Sequence, residues 1–215
     1  MQSNYDIFEE QSRTLFMRYN LETLAAKWNL RSDDTFVYIL YFGEEYRIRK
    51  ADSKVLPPAF NGTSKKSCSN NESRSMASLT IYDVLTYSDN PPSCSGHWES
   101  LSALGGIIGA GHEQKLTGTA GGNASFPPVE IMRNAITRIG GSFLSETSAD
   151  LDAVVPVFPF LPMRFQYWEA DDEFPASVKY LWDANALLFM HYETLWYAMS
   201  DFDRILLRSY SKRNK

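Results

Sequence analysis

Four acidic side chains, Glu169, Asp171, Asp172 and Glu173, fall within five residues inside the stretch Arg164–Asp183, RFQYWEADDEFPASVKYLWD. Like charges that close repel, so a fold holds them with a counter-ion, with hydrogen-bond donors or in plain solvent. Asp171 and Glu173, with Asp172 beside them, offer the hard oxygen ligands that Mg²⁺ or Ca²⁺ takes. Burial could instead split their pKa values and leave one as an acid and another as a base. In the third reading Asp171 and Asp172 accept backbone amides in an Asx-type turn, Glu173 points outward and Phe174 plugs the core. Turn architecture leads, a metal or polar-ligand site follows, and catalysis comes last.

A second group of candidates opens the last helical run. Glu193 faces the positive end of a helix dipole, and His191 precedes it by two residues. Trp168, Asp171, Asp172, Glu173, His191 and Glu193 are therefore the candidate ligand-binding residues, and Asp171 and Glu173 the candidate metal ligands. His97 and His112 lie too far away in sequence to complete a zinc motif with His191. Neither a G-x-S-x-G elbow nor a nucleophilic Cys–His signature occurs. Trp168, Trp182 and Trp196 read as core; exposed in a cleft, they would make a flat apolar wall for a planar ligand.

The segment between the flanking strand-like runs, Ala170–Ser177, is too short for a parallel crossover, so those runs should pair antiparallel. Pairing Ala170 with Ser177 sets Arg164 opposite Asp183 and predicts a cross-strand ion pair between them. Asp183 would then lie roughly 20 Å from the acidic turn, too far to share a site with it.

Helical spacing of apolar residues predicts a helix over Tyr5–Asn29, broken at Tyr19-Asn20 with Asn20 capping the second piece. Thr35–Phe42 and Glu45–Lys50 form a hairpin around Gly43-Glu44. Helices follow over Ser75–Tyr87, over Pro128–Ile139 and over about Tyr192–Tyr210, with His97–Ala103 a short strand or extended arm. Pro156, Pro159 and Pro162 confine Ala153–Phe158 to a sheet edge or a run of extended chain. The polar stretch 57–75 reads as a mobile loop and 208–215 as a polar tail. Leu104–Ala124 carries seven glycines but neither the P-loop lysine with its Ser/Thr nor G-x-G-x-x-G, so it reads as a gate or tight-turn segment.

The chain has 215 residues, 44 % of them apolar and 14 % aromatic, enough for one substantial core. Its net charge of −5, with scattered basic residues, argues against nucleic acid. No apolar run approaches the ~20 residues of a membrane span. The polar, acidic start MQSNYDIFEE is unlike a signal peptide, and Cys68 and Cys94 read as free thiols in a reducing cytoplasm. Three sequons, at Asn61, Asn71 and Asn123, would matter only in a secreted protein.

The C-terminal half resembles a known family. Val155–Arg164 (VPVFPFLPMR), Trp168–Pro175 (WEADDEFP), Leu181-Trp182-Asp183 and Glu193 are similar to the family of domain of unknown function 3786, and the likeness runs from Phe36 to Leu207. Trp168, Asp171, Glu173, Phe174, Asp183 and Glu193 match its pattern. The family occurs mostly in anaerobic bacteria and archaea, and some members carry a fused four-cysteine domain like that of corrinoid-pathway proteins. This chain has two cysteines. The resemblance implies a place beside an anaerobic cofactor or redox pathway and supplies no catalytic residue and no cofactor.

Together these features predict one α+β domain over residues 1–215, a mostly antiparallel sheet with packed helices and a long C-terminal helix. The functional expectation is a module that binds a small molecule or a protein partner. A metal-dependent enzyme working at 171–173 and a structural accessory subunit are the alternatives.

Overall fold

A computed structural model describes residues 4–58, 76–105, 126–145 and 147–211. Helix α1 (Asn4–Phe16) stops one turn before α2 (Leu21–Lys27), and the Asn20 side chain accepts the Thr23 amide at 3.0 Å, capping α2 at the expected break. Strands β1 (Phe36–Tyr41) and β2 (Glu44–Arg49) form the expected hairpin, and β3 (Val55–Leu56) adds a third strand.

The two turn residues of that hairpin, Phe42 and Gly43, both have left-handed backbones, with φ of 48° and 68°. A two-residue turn of this kind matches the twist of the strands it joins. Phe42 is a poor residue for the position, but its ring is 1 % exposed and stacks 5.9 Å from Phe202. Burial outweighs the local strain. Gly43 is required twice over, because a Cβ there would also lie 2.5 Å from the Ile139 carbonyl oxygen. Gly43→Ala is expected to cost at least ~2 kcal/mol, read as a lowered urea midpoint with an unchanged slope.

The chain continues through α3 (Ala77–Thr86), β4 (Trp98–Ser100), α4 (Leu101–Gly105), α5 (Val129–Arg138), β5 (Ser142–Phe143), β6 (Leu151–Phe158), β7 (Leu161–Trp168), β8 (Ser177–Asp183) and α6 (Tyr192–Ser211). Helix α5 ends at its predicted terminator, where the amides of Gly140 and Gly141 return to the carbonyls of Thr137 and Ile136. The second sheet has the order β4-β8-β7-β6-β5, and each neighbouring pair is antiparallel. The protein is a single α+β domain closed by its long C-terminal helix.

Helix α6 runs antiparallel to β8. The Trp182 indole N–H points at Met199 Sδ, 3.4 Å away, and Tyr180 bonds Asp203 one turn further on. Phe202 packs between Phe42 and Phe165, whose ring lies 5.1 Å off. Strand β7 alternates strictly: Leu161, Met163, Phe165 and Tyr167 are buried on the α6 side, while Pro162, Arg164, Gln166 and Trp168 are half-buried on the other. Each large side chain fully buried on the α6 side contributes about 1.5–3 kcal/mol, which fixes the register of strand and helix together.

Strand β6 departs from expectation. It stands second from the edge, flanked by the two-residue β5. Pro156 faces Pro162 across the ladder, and the register shifts beside them, between Pro156 and Phe158. The prolines are tolerated inside the sheet because two residues without N–H groups oppose each other at an irregularity.

The expected mobile loop at 57–75 lies outside the described residues from position 59 onward, as does the glycine-rich segment from 106 to 124. Where the sequence predicts a polar tail from Arg208, α6 continues to Ser211, and the tail beyond it is outside the described residues. No helix among the described residues is long and apolar enough to cross a membrane.

Candidate functional site

The acidic turn connects β7 to β8 over residues 169–176. Asp171 Oδ1 accepts the amides of Glu173 at 2.9 Å and Phe174 at 2.7 Å, while its own amide donates to the Phe174 carbonyl at 3.0 Å. These amide bonds, Phe174 first, hold the Asp171 pKa below the usual carboxylate value. Asp171, Asp172 and Glu173 are all exposed. Phe174 does not plug the core: it is 66 % exposed, because the paired bonds between residues 171 and 174 turn its ring outward.

The predicted Arg164–Asp183 ion pair is not formed. Strands β7 and β8 pair two residues out of the expected register, with Trp168 opposite Ser177 and Arg164 opposite Leu181. A shift of two keeps every side chain on its face but changes its partner. Arg164 turns to the strand on its other side and grips Asp152 with two bonds, of 2.9 and 2.7 Å, while Gln166 adds a third at 2.8 Å. Asp183 turns to the loop entering β4. Its carboxylate accepts the amides of Ser95 and Gly96 at 2.8 Å each, the Asn185 amide at 2.9 Å and the Ser95 hydroxyl at 3.1 Å.

The candidate residues separate into two groups. Because α6 is antiparallel to β8, His191 and Glu193 stand at the Asp183 end of that strand, whose seven residues span roughly 20 Å from the acidic turn. His191 is bound to α3: its Nδ1 lies 2.7 Å from Asp83 Oδ1, its amide donates to Asp83 Oδ2, and its ring meets Tyr87 edge-on at 4.4 Å. Asp83 thereby ties α3 to the entrance of α6. Glu193 is exposed in the first turn of α6. Trp182 is fully buried, while Trp168 and Trp196 are half-buried, so the three tryptophans make no common wall.

Among the described residues, no three His, Cys, Asp or Glu side chains gather closely enough to hold a metal ion. Cys94 is an exposed free thiol; partial burial of the sulfur and then the Asp183 charge hold it above the ordinary thiol pKa, the reverse of an activated nucleophile.

The most perturbed carboxyl is one that sequence reasoning missed. Asp203, on α6, is half-buried and accepts the Tyr180 hydroxyl, its one hydrogen bond among the described residues. Burial lifts its pKa from an ordinary 3.8 to about 6, against the opposing pull of the Tyr180 bond. Burial, and then the Asp203 charge, push the Tyr180 phenol well above its own ordinary value. The Phe165 ring lies 5.4 Å from that of Tyr180, so the pair sits against aromatic surface. Asp203 falls within the apolar stripe Met199, Phe202 and Leu206 of an amphipathic helix, a signal the sequence does carry.

A carboxyl whose folded pKa is raised stabilises the fold most below its unfolded value and loses that contribution as pH rises through about 6. Asp203→Asn is therefore expected to be more stable than the parent at pH 8, by up to ~3 kcal/mol, with the difference vanishing below pH 4. Urea melts of both proteins across that range would check this.

No curated protein and no solved structure matches the chain. The model of the family described as Domain of unknown function (DUF3786) matches residues 20–202. That span takes in the acidic turn, both strands beside it, Asp183 and the first half of α6 as far as Phe202, and the chain belongs to this family.

Proposed function

We propose that the protein is a small-molecule-binding module whose ligand is received at Asp203 and Tyr180. One observation carries the reading: a half-buried carboxyl with a single hydrogen bond and no ion pair among the described residues. An ionised carboxylate accepts about four hydrogen bonds, and a buried one without a cation is costly to keep. Perturbed carboxyls of this kind concentrate at working sites. The family resemblance is what suggests service to an anaerobic cofactor or redox pathway.

A protein partner is the second reading. Trp98, Arg164 and Trp168 are half-buried on the sheet face opposite α6, and Trp and Arg are the side chains that most often anchor interfaces. The metal-dependent alternative at the acidic turn draws on the exposed Glu173 and on the second Asp171 oxygen, which neither amide uses.

A thermal-shift screen with nucleotides, corrinoids, organic amines, Mg²⁺, Ca²⁺ and Zn²⁺ separates these readings. A ligand at 100 times its dissociation constant stabilises by ~2.7 kcal/mol. The expected result is an organic ligand that shifts the wild type and not Asp203→Asn. Silence from every organic compound would remove the small-molecule reading, and a full cation shift retained by Glu173→Gln would count against the acidic turn as a metal site.

A further inference from the structure

Among the described residues thirteen large apolar side chains are exposed, and five of them fall between positions 7 and 19. Ile7, Phe8, Leu15, Met17 and Tyr19 are each between 42 % and 62 % exposed. Scattered apolar side chains are ordinary on a surface, whereas a concentration of them marks a contact. The helical period puts Ile7, Phe8, Gln11, Thr14 and Leu15 on one face of α1, and all five are exposed. The opposite face anchors the helix. Phe16 is 2 % exposed with its ring 4.7 Å from that of Tyr82 on α3, and Arg13 donates to the Asp52 carbonyl at 2.6 Å. The stripe is thus carried by a helix already held in place, and a partner need not order it.

Charge selects the occupant. The exposed face of α1 carries none, so two copies of it meet without like charges between them, although the chain as a whole carries −5. Asp6, Glu9 and Glu10 lie in the first half of the helix, Arg13 in its last turn and Arg18 just past its end. Two copies laid antiparallel set each acidic half beside the basic end of the other; laid parallel, like charges would meet. Arg13 is already paired with Glu10 on its own helix, which leaves Arg18 to face the acidic half of the other copy. A twofold axis beside Gln11 puts Phe8 against the partner subunit's Leu15 and Leu15 against the partner subunit's Phe8, the self-complementary contact of a closed pair. The same acids oppose an anionic lipid surface. We propose that α1 is a homodimer interface, its Ile7, Phe8 and Leu15 stripe packed antiparallel on that of a second copy. One pair of thirteen-residue helices is small beside the ~1,200–2,000 Å² of a stable interface, so the dimer is weak and depends on concentration.

Sedimentation equilibrium of the full chain, from about 1 µM to about 1 mM, reads the association directly. The expected result is the monomer mass at the dilute end, rising toward twice that mass at the other. Phe8→Glu and Leu15→Glu should each weaken association by ~10-fold or more, and Arg18→Glu by a smaller factor. Phe174→Glu changes a ring 66 % exposed on the acidic turn and should leave association as it is. All four side chains are exposed, so the urea midpoints of these variants should match the parent's, which separates lost association from lost folding. Should an α1 variant not fold, the parent's mass and Arg18→Glu decide. A mass that stays monomeric throughout, one that climbs past the dimer, or association that survives both α1 substitutions would overturn the inference. A monomer that sediments with phosphatidylglycerol vesicles and loses them on Phe8→Glu assigns the stripe to a membrane surface, and the second copy falls.

Discussion

Asp152→Ala is expected to lower stability by about 3–5 kcal/mol, because it strands the half-buried guanidinium of Arg164 without its partner. The Asp152 side chain is 0 % exposed and that of Arg164 21 %. The loss should come from the uncompensated charge, and a second substitution tests that origin. Asp152→Ala combined with Arg164→Met removes both charges and should be less destabilised than Asp152→Ala alone, since breaking a buried pair costs more than replacing it. Greater loss in the double variant would show that Arg164 contributes chiefly by packing. Burial pushes the Asp152 pKa up, but the bonds from Arg164 and Gln166 prevail and leave it below the ordinary value. Its contribution is therefore present above about pH 4 and is lost as pH falls through the lower folded pKa.

Asp183→Ala is expected to cost ~3 kcal/mol or more, since three backbone amides and a hydroxyl lose one shared, charged acceptor. Asp183 is 2 % exposed, so water cannot readily replace it. Asp183→Asn keeps one acceptor oxygen but turns a donor toward amides that need an acceptor, and should recover only part of the loss. Amide exchange localises the effect: Ser95, Gly96 and Asn185 should lose protection first. Burial raises the Asp183 pKa, but the amide bonds from Ser95, Asn185 and Gly96 outweigh it and hold it below the usual value. This contribution too disappears on acidification, opposite in sign to that of Asp203.

Local features were legible and lateral ones were not. The Asn20 cap, the first hairpin, the glycine stop after α5 and the extent of α6 all follow from residues within a few positions of one another, although the hairpin turns at Phe42-Gly43, one residue before the expected Gly43-Glu44. The β7–β8 hairpin was legible from its short connection, yet its register was not, because a shift of two preserves the alternation that sequence displays. The partners of Arg164 and Asp183 come from β6 and from the loop at 95–96, which no pattern within the hairpin reveals. The acidic turn drew attention through composition, whereas Asp203 is conspicuous only beside Met199, Phe202 and Leu206 on the helix face. Its partner Tyr180 is 23 residues away, on another element.

The bond from Tyr41 to Asp201 joins residues 160 positions apart. Phe42 and Phe202 meet beside it, so the first hairpin finds its partners in α6, far along the chain. Chain-closure entropy over such a separation must be met before those contacts give anything back, which slows assembly. Refolding after a denaturant jump should accordingly fall in the millisecond-to-second range, and while α6 is still undocked the apolar side of β7 stays open to chaperones and to other nascent chains.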